Sequence, residues 1–311
     1  MASVFSTSDS KVLMPREIAD GMIKETQTTS TVAMLSQQEP QRFGEVDYLT
    51  FNDFPKAEFV EEGAEKASTT GGFGSVTAKP HKAQVTMRFN EEVQWADEDY
   101  QLGVLQQLSS AGTTALSRAL DLGLYHRINP LTGTVVSGWD NYAAATTKKV
   151  ELDAKIDADQ SIRDAAGLLI QQTNPVSVNG FAVDPRLTWA LAALQTKNAD
   201  GSASGLQRYP QLGLGTGINS FLGINTAQGD TVSGQPEAKT DTKVRGILGD
   251  FQNGIRWGVQ RNLPLELIRF GDPDGQGDLK RRNQIAIRME IVYGWYVFTD
   301  RFALVTEKAA A

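Results

Sequence analysis

The sequence predicts an α+β protein in which one long helix lies against long β-strands and a smaller α/β lobe is inserted between them. Three features support this fold class. Residues 96–127 lack proline and repeat apolar side chains at helical spacing, and residues 82–89 alternate between polar and apolar side chains. Residues 159–197 carry signals for a helix, a short strand and a second helix in turn. With 311 residues, the chain suits one large domain or two modest ones.

The longest predicted element is a helix at residues 96–127. Acidic residues at 97–99 and His126 near the end complement the helix dipole. At about 1.5 Å per residue this helix would be about 48 Å long, which is enough to cross a domain. Gly103, Gly112 and Gly123 weaken it, and we expect them where the helix packs closely against a sheet. The apolar stripe comprises Leu105, Leu108, Ala115, Leu116, Ala119, Leu120 and Leu122.

A long β-hairpin is predicted at residues 51–90. Residues 82–89 give the strong strand signal, a shorter run contains Phe59 and Val60, and the Gly-, Ser- and Thr-rich residues 67–75 form a soft tip. The acidic side chains lie on the first arm of the hairpin and the basic ones on the second, which ordinary cross-strand pairing would explain. A two-stranded hairpin of this length is, however, only marginally stable alone in water. We therefore expect it to lie on a neighbouring copy of the chain. The predicted subunit-contact residues are Glu58, Glu61, Glu62, Lys66, Phe73, Lys79, Lys82, Arg88, Lys280, Arg281 and Arg282.

Residues 1–50 form a polar N-terminal arm with weak patterning, rich in Ser, Thr and Gln. A loosely structured segment is the simpler interpretation, because polar termini are usually poorly ordered. The functional alternative is an arm that wraps around a neighbouring subunit.

The middle and end of the chain supply the lobe and the remaining strands. In the lobe, a helix at 159–172 precedes a strand at 181–183, and Asp184 caps a second helix at 186–197 with Pro185 in its first turn. Further strand candidates are residues 221–224, 246–251, 255–259, 263–270, 285–291 and 295–305. Gly294 is expected to separate the last two of these candidates.

Composition excludes several function classes. The net charge of −7 and the pI near 5.0 argue against a protein whose main task is to grip nucleic acid. The chain has no cysteine and only two histidines, His81 and His126, too few for most zinc, non-haem iron or triad chemistry. No apolar run reaches about 18 residues, so no membrane span is predicted. The N-terminus lacks the pattern of a secretory signal, and we expect a soluble intracellular protein.

Short motifs add little chemistry. Residues 213–217 superficially resemble a dinucleotide loop but lack the flanking strand and helix, which favours a loop with unusual backbone angles. Residues 272–278 resemble a calcium loop, yet the twelfth position is Asn283 where a bidentate glutamate is needed, so an acidic turn is favoured. The basic run at 280–282 is expected to pair with charges on a partner or within this loop.

The paired carboxylates do not form a convincing acid–base site. Neighbours such as Glu61 and Glu62, or Glu91 and Glu92, point apart on a strand and differ by about 100° on a helix. No serine-nucleophile arrangement is evident either. We therefore predict no catalytic residues, no cofactor and no metal site.

The order of the elements resembles the major capsid proteins of tailed bacteriophages, which share the Hong Kong 97-type fold. That order is a polar arm, a long charged hairpin, a long helix, an inserted α/β lobe and closing strands. The resemblance covers about residues 50–306. It is carried by residues 57–63, 76–90, 181–185, 246–251 and 283–290.

This resemblance implies a non-enzymatic, structural role. Hexamers and pentamers of the chain would form the icosahedral shell that encloses the genome of a tailed double-stranded DNA phage. Residues 1–50 would be the N-terminal arm, 51–90 the extended hairpin loop, 91–150 the peripheral domain with its spine helix, 151–262 the axial domain, and 263–311 the closing strands of the peripheral domain. The implied location is the virion, after assembly in the host cytoplasm.

The resemblance also implies partners. These are other copies of the chain, a portal and decoration proteins, with only weak nonspecific contact with packaged DNA and none with a membrane. Many family members carry a long scaffolding segment ahead of the arm. The residues before the hairpin are too few for it, so we expect a separate scaffolding protein or earlier removal of the segment. Lys66, Lys79, Lys82 and Asn283 could supply an intersubunit crosslink, but noncovalent closure is expected.

Two other classes of function remain open from the sequence. The same fold forms encapsulin-type compartments without a viral genome, and an enzyme with unrecognised chemistry or a tail or decoration protein is a further alternative. Particle size separates them, because a shell protein forms very large particles or discrete capsomers whereas an enzyme forms a small oligomer.

Overall fold

The structure is a computed structural model that describes residues 30–53, 57–66, 68, 72–95, 98–153, 157–198, 200, 202–213 and 217–308. Its described helices are α1 Thr31–Leu35, α2 Glu98–His126, α3 Ala158–Ile170, α4 Pro185–Ala192 and α5 Phe251–Gly254. Short 3-10 turns lie at Glu91–Trp95, Ala143–Ala145, Asp230–Val232, Lys280–Arg282 and Thr299–Arg301.

Two sheets organise the described residues. The strands are β1 Val46–Asp53, β2 Gly72–Asn90, β3 Ile128–Asn129, β4 Thr134–Val135, β5 Lys149–Leu152, β6 Gly180–Val183, β7 Gln195–Lys197, β8 Ala203–Gln207, β9 Ser220–Phe221, β10 Ile224–Gln228, β11 Val244–Gly249, β12 Ile255–Ile268, β13 Gln284–Val297 and β14 Phe302–Glu307. The first sheet has the order β1-β2-β13-β12 and the second has the order β5-β14-β11-β6-β10-β9, while β3 with β4 and β7 with β8 form two-stranded ribbons. This mixture of helix and sheet confirms the predicted α+β class.

The spine helix α2 packs on the four-stranded sheet, as its apolar stripe predicted. The hydroxyl of Tyr293 on β13 donates to the carbonyl of Leu116 on the helix at 3.1 Å. A Cβ on Gly112 would lie 1.6 Å from the Met289 methyl, and one on Gly123 would lie 2.9 Å from the Trp295 ring. Both glycines therefore lie where the helix approaches the sheet closely, which confirms the reason expected for them.

The first strand of the hairpin differs from the prediction. It is β1, which pairs antiparallel with the first part of β2 in a register that joins Val46 to Ala78 and Asp53 to Gly72. The run around Phe59 and Val60 is instead irregular chain between the two strands. β1 was not predicted because its apolar side chains, Val46, Tyr48, Leu49 and Phe51, do not alternate regularly with polar ones. Residues 54–56, 67 and 69–71 of the predicted hairpin lie outside the described residues.

Part of the predicted arm is firmly packed. Residues 30–41, which we call the strap, contain α1, and its Val32 and Leu35 belong to the main hydrophobic core. The strap then passes beside β12, where the backbone N–H of Glu39 donates to the carbonyl of Trp257 at 2.9 Å. The prediction of a loosely structured arm is therefore wrong for these residues, because Val32 and Leu35 are buried in the core. Residues 1–29 lie outside the described part of the chain.

The inserted lobe contains the predicted elements with shifted bounds. Asp184 caps α4 by accepting a hydrogen bond from the backbone N–H of Arg186 at 2.8 Å, as predicted. The helix ends at Ala192, five residues earlier than predicted, because Gln195–Lys197 leave it to pair with β8. The strand predicted at 181–183 is the fully buried β6.

The closing strands depart from the prediction in two ways. β13 runs unbroken through Gly294, which faces the strap: a Cβ there would lie 2.1 Å from the Gln41 side-chain oxygen. Gly294 therefore marks a close approach within a continuous strand. In addition, β14 joins the six-stranded sheet, between β5 and β11, and does not join the sheet under the spine helix. The turn at Thr299–Arg301 redirects the chain between the two sheets.

Both histidines are held neutral inside the fold. His81 stacks on Trp295 with ring centroids 3.8 Å apart, and its other ring neighbour is Trp139 at 4.2 Å. Burial, reinforced by the charge of Lys79, lowers the pKa of His81 from 6.5 to about 4. Burial likewise lowers the pKa of His126 to about 4, although its Nε2 lies 2.8 Å from the carbonyl of Val232.

The free energy of unfolding should therefore fall as the pH drops from 6.5 to about 4. In this window the unfolded chain binds protons that the folded chain does not, and His126 alone corresponds to about 3 kcal/mol. Thermal unfolding across the window measures the effect. A His81→Phe variant keeps a ring between the tryptophans but cannot titrate, so it should lose less stability than the natural chain on acidification. Identical pH dependence in the two proteins would contradict the assignment for His81.

Candidate subunit-contact surface

An acidic segment projects between β1 and β2. Residues 57–66, which we call the acidic segment, have no regular secondary structure apart from a turn at Glu62–Gly63. Gly63 has a φ of 86°, which a side chain would disfavour, and Ala64 N–H donates to the Glu61 carbonyl at 3.1 Å. Its exposed side chains include Glu58, Glu61, Glu62, Glu65 and Lys66.

The acidic segment also presents an apolar anchor. The ring of Phe59 is fully exposed, and Val60 beside it is more than one-third exposed. Within the part of the chain that the structure describes, Glu61, Glu62 and Glu65 have no ion-pair partner. Exposed aromatic side chains with polar residues at their rim are typical of surfaces that another protein covers.

The basic residues predicted on the hairpin lie on β2 and find partners within their own chain. Lys82 Nζ lies 2.9 Å from a carboxylate oxygen of Glu290 on β13. Arg88 contacts both Asp272 and Asp274, with its Nε 2.7 Å from Asp274 Oδ2. These pairs replace the cross-strand pairing between the two arms of the hairpin that the sequence allowed. Lys79 is exposed, and the side chain of Phe73 lies outside what the structure describes.

The loop at residues 271–282 folds back onto the first sheet. Arg88 holds it there, and the same guanidinium keeps the pKa of Asp274 below its usual value. Asp272 also accepts a hydrogen bond from the backbone N–H of Gly277 at 3.0 Å, so its carboxylate is bound by donors of its own chain. This arrangement fits the acidic turn that the sequence analysis favoured over a calcium loop. In the described ranges, no group of three or more His, Asp or Glu side chains is arranged to hold a metal ion.

The basic run at the end of this loop is mostly exposed. Lys280 Nζ lies 3.1 Å from Glu91, which sits just after β2, and 5.6 Å from the centroid of the exposed Phe270 ring. Arg281 and Arg282 are exposed. The structure thus joins Lys280 and Arg88 to carboxylates of their own chain, while the glutamates of the acidic segment share no ion pair with them among the described residues.

One buried polar cluster was not predicted from the sequence. Asp121 lies on the buried face of the spine helix and is fully enclosed, with hydroxyl and backbone donors from α1 and from Thr231. Burial raises the pKa of this carboxyl group. A single carboxylate between Leu120 and Leu122 was the signal, because a charged residue on an apolar stripe needs a partner.

The described helices contain none that is both long and apolar enough to cross a membrane.

A sequence model described as the phage capsid family matches residues 10–304, which is nearly the whole chain. The chain belongs to the phage capsid family. It is accordingly a major capsid protein, a structural protein that forms the shell of a phage particle. Comparison with curated proteins gives no match.

Solved structures agree with this family. A chain from Mycobacterium phage Ogopogo is 43% identical, with a TM-score of 0.78 over 90% of this chain and 92% of that one. A chain from Gordonia phage Cozz is 27% identical, with a TM-score of 0.78 over 99% of this chain and 96% of that one. A structure described as the capsid of a native GTA particle is 15% identical with a TM-score of 0.56, over 90% of this chain and 91% of that one, and shows likeness of fold alone. The prediction of a Hong Kong 97-type capsid fold is confirmed.

Proposed function

We propose that this capsid protein assembles into hexamers and pentamers that enclose the double-stranded DNA genome of a tailed phage, and that the acidic segment of each copy clamps a neighbour. The family match over residues 10–304 is the observation that carries the shell-forming role. The clamp is supported by the exposure of Phe59 and by Glu61, Glu62 and Glu65, which have no ion-pair partner among the described residues. An encapsulin-type compartment is not favoured, because the matching family is that of phage capsids.

The energetics favour a contact of this kind. Burial of an aromatic ring such as Phe59 contributes about 2–3 kcal/mol. Each exposed ion pair made by a glutamate would add less than about 1 kcal/mol, and long-range attraction between opposite charges would guide the approach. Because a shell repeats the same contact many times, a modest energy per subunit suffices.

We also propose that the two sheets belong to different domains of the subunit. The spine helix and the four-stranded sheet would be the peripheral domain, and the six-stranded sheet would be the core of the axial domain at the capsomer centre. Since β14 pairs with β11 and β5, this division moves the end of the chain from the predicted peripheral domain to the axial domain.

Further partners follow from the family resemblance. We propose assembly in the host cytoplasm with a separate scaffolding protein, a portal and decoration proteins. Contact with packaged DNA would be weak and nonspecific, because the chain carries a net charge of −7.

The size of the purified assembly tests the proposal. The chain, produced with the other capsid genes of its phage, should elute as multi-megadalton particles that electron microscopy shows as closed shells. After boiling in detergent, noncovalent shells should give a single band near 33.8 kDa. A small oligomer in solution would contradict the shell, whereas a ladder of multimers that resists reductant would contradict only noncovalent closure.

A further inference from the structure

The strap is tied to the spine helix through one carboxylate. Asp121 is fully buried and accepts from the backbone N–H of Thr31 at 2.9 Å and from the Thr31 hydroxyl at 2.8 Å. It also accepts from the Val32 N–H at 3.2 Å and from the Ser30 hydroxyl. The remaining donor is the hydroxyl of Thr231, at 2.7 Å. Four of the five donors that the structure gives this carboxylate therefore come from the strap.

This dependence makes partial opening costly. Among the described residues Asp121 has no cationic partner, so its charge is stabilised by neutral donors alone. If the first turn of the strap moved away, the Asp121 carboxylate would keep only one hydrogen-bond donor, the Thr231 hydroxyl, inside an apolar core. A buried charge without donors is strongly unfavourable, so the four contacts are expected to form and break together.

Beyond α1 the strap is fitted to its own chain. The indole N–H of Trp257 donates to the Ser36 hydroxyl at 2.8 Å, and Gln38 forms a parallel bridge with Trp257 on β12. A Cβ on Gly258 would lie 2.1 Å from the carbonyl oxygen of Glu39. The strap therefore covers the outer edge of the four-stranded sheet at this point, where β12 is the last strand.

We propose that residues 30–41 are a strap that opens and closes as one unit, that Asp121 is its latch, and that opening uncovers the β12 edge at Trp257.

Hydrogen exchange of the full chain, with every variant in the same assembly state, tests the latch. Three strap amides report on it, because Met34, Ser36 and Glu39 donate backbone hydrogen bonds to Ser30, Val32 and Trp257 respectively. In an Asp121→Asn variant these three amides should exchange about ten-fold faster or more, by a common factor, while β13 amides stay unchanged. Asp184→Asn is the matched control, because Asp184 is also a buried helix-capping carboxylate and accepts from Arg186 of its own helix.

Three outcomes would overturn the proposal. They are unchanged strap exchange in the Asp121 variant, exchange that increases gradually toward residue 30, and strap exchange no faster than that of β13. Should Asp121→Asn fail to fold, Thr31→Val keeps the side-chain shape and removes one hydroxyl donor. It should then accelerate the same three amides together by a smaller factor, and no acceleration in that variant would equally overturn the latch.

Discussion

A variant in which a short Gly-Ser turn replaces residues 54–71 should fold as a subunit and fail to form shells. Asp53 and Gly72 are partners in the β1–β2 register, so a turn can join them without disturbing the hairpin. The replacement removes the whole acidic segment with Phe59, the proposed clamp. Circular dichroism and thermal unfolding report on the subunit, and electron microscopy reports on assembly.

Two partial variants separate the contributions to the clamp. Phe59→Ser removes the apolar anchor and keeps the charges, whereas a variant with glutamine at positions 58, 61 and 62 keeps the ring and removes three charges. We expect Phe59→Ser to weaken assembly more, because burial of an aromatic ring outweighs exposed ion pairs. Normal shells from the variant that lacks residues 54–71 would refute the clamp.

Replacing Gly258 with alanine should destabilise the folded subunit by about 2–3 kcal/mol. The added Cβ would lie 2.1 Å from the backbone oxygen of Glu39, and backbone moves less readily than the end of a side chain. Relief requires the strap to move away from β12, which would disturb its contacts with Trp257. Gly138→Ala is the matched control, because a Cβ there meets nothing within 4 Å. Chemical denaturation of both variants measures the difference, and equal stabilities would contradict the close fit of the strap.

Local patterns predicted the elements whose neighbours are close in sequence or whose periodicity is long. The spine helix followed from its apolar stripe, and the cap of α4 followed from Asp184 and Pro185, because helix-forming signals act within a few residues. β13 was recognisable from alternation over its first half. Gly112 and Gly123 correctly indicated close packing.

Features decided by distant contacts were not predictable. β1 pairs with β2 across an irregular segment. The turn at Thr299–Arg301 directs β14 into the six-stranded sheet, and the periodicity of the sequence does not predict this turn. Gly294 was misread as a strand end because the strap that crosses it comes from the other end of the chain. The candidate surface was likewise only partly predictable. The charges of the hairpin were evident from the sequence, but Arg88 and Lys82 form ion pairs with carboxylates of their own chain.

The position of residues 57–66 in an assembled shell shows whether they clamp a neighbouring subunit. An electron-microscopy reconstruction of the particle, at a resolution that traces the backbone, locates this segment relative to subunit boundaries. We expect Phe59 to be buried against an adjacent copy of the chain, with Glu61 or Glu62 near a basic side chain of that copy. A segment folded back onto its own subunit, or one projecting into solvent with Phe59 exposed, would contradict it.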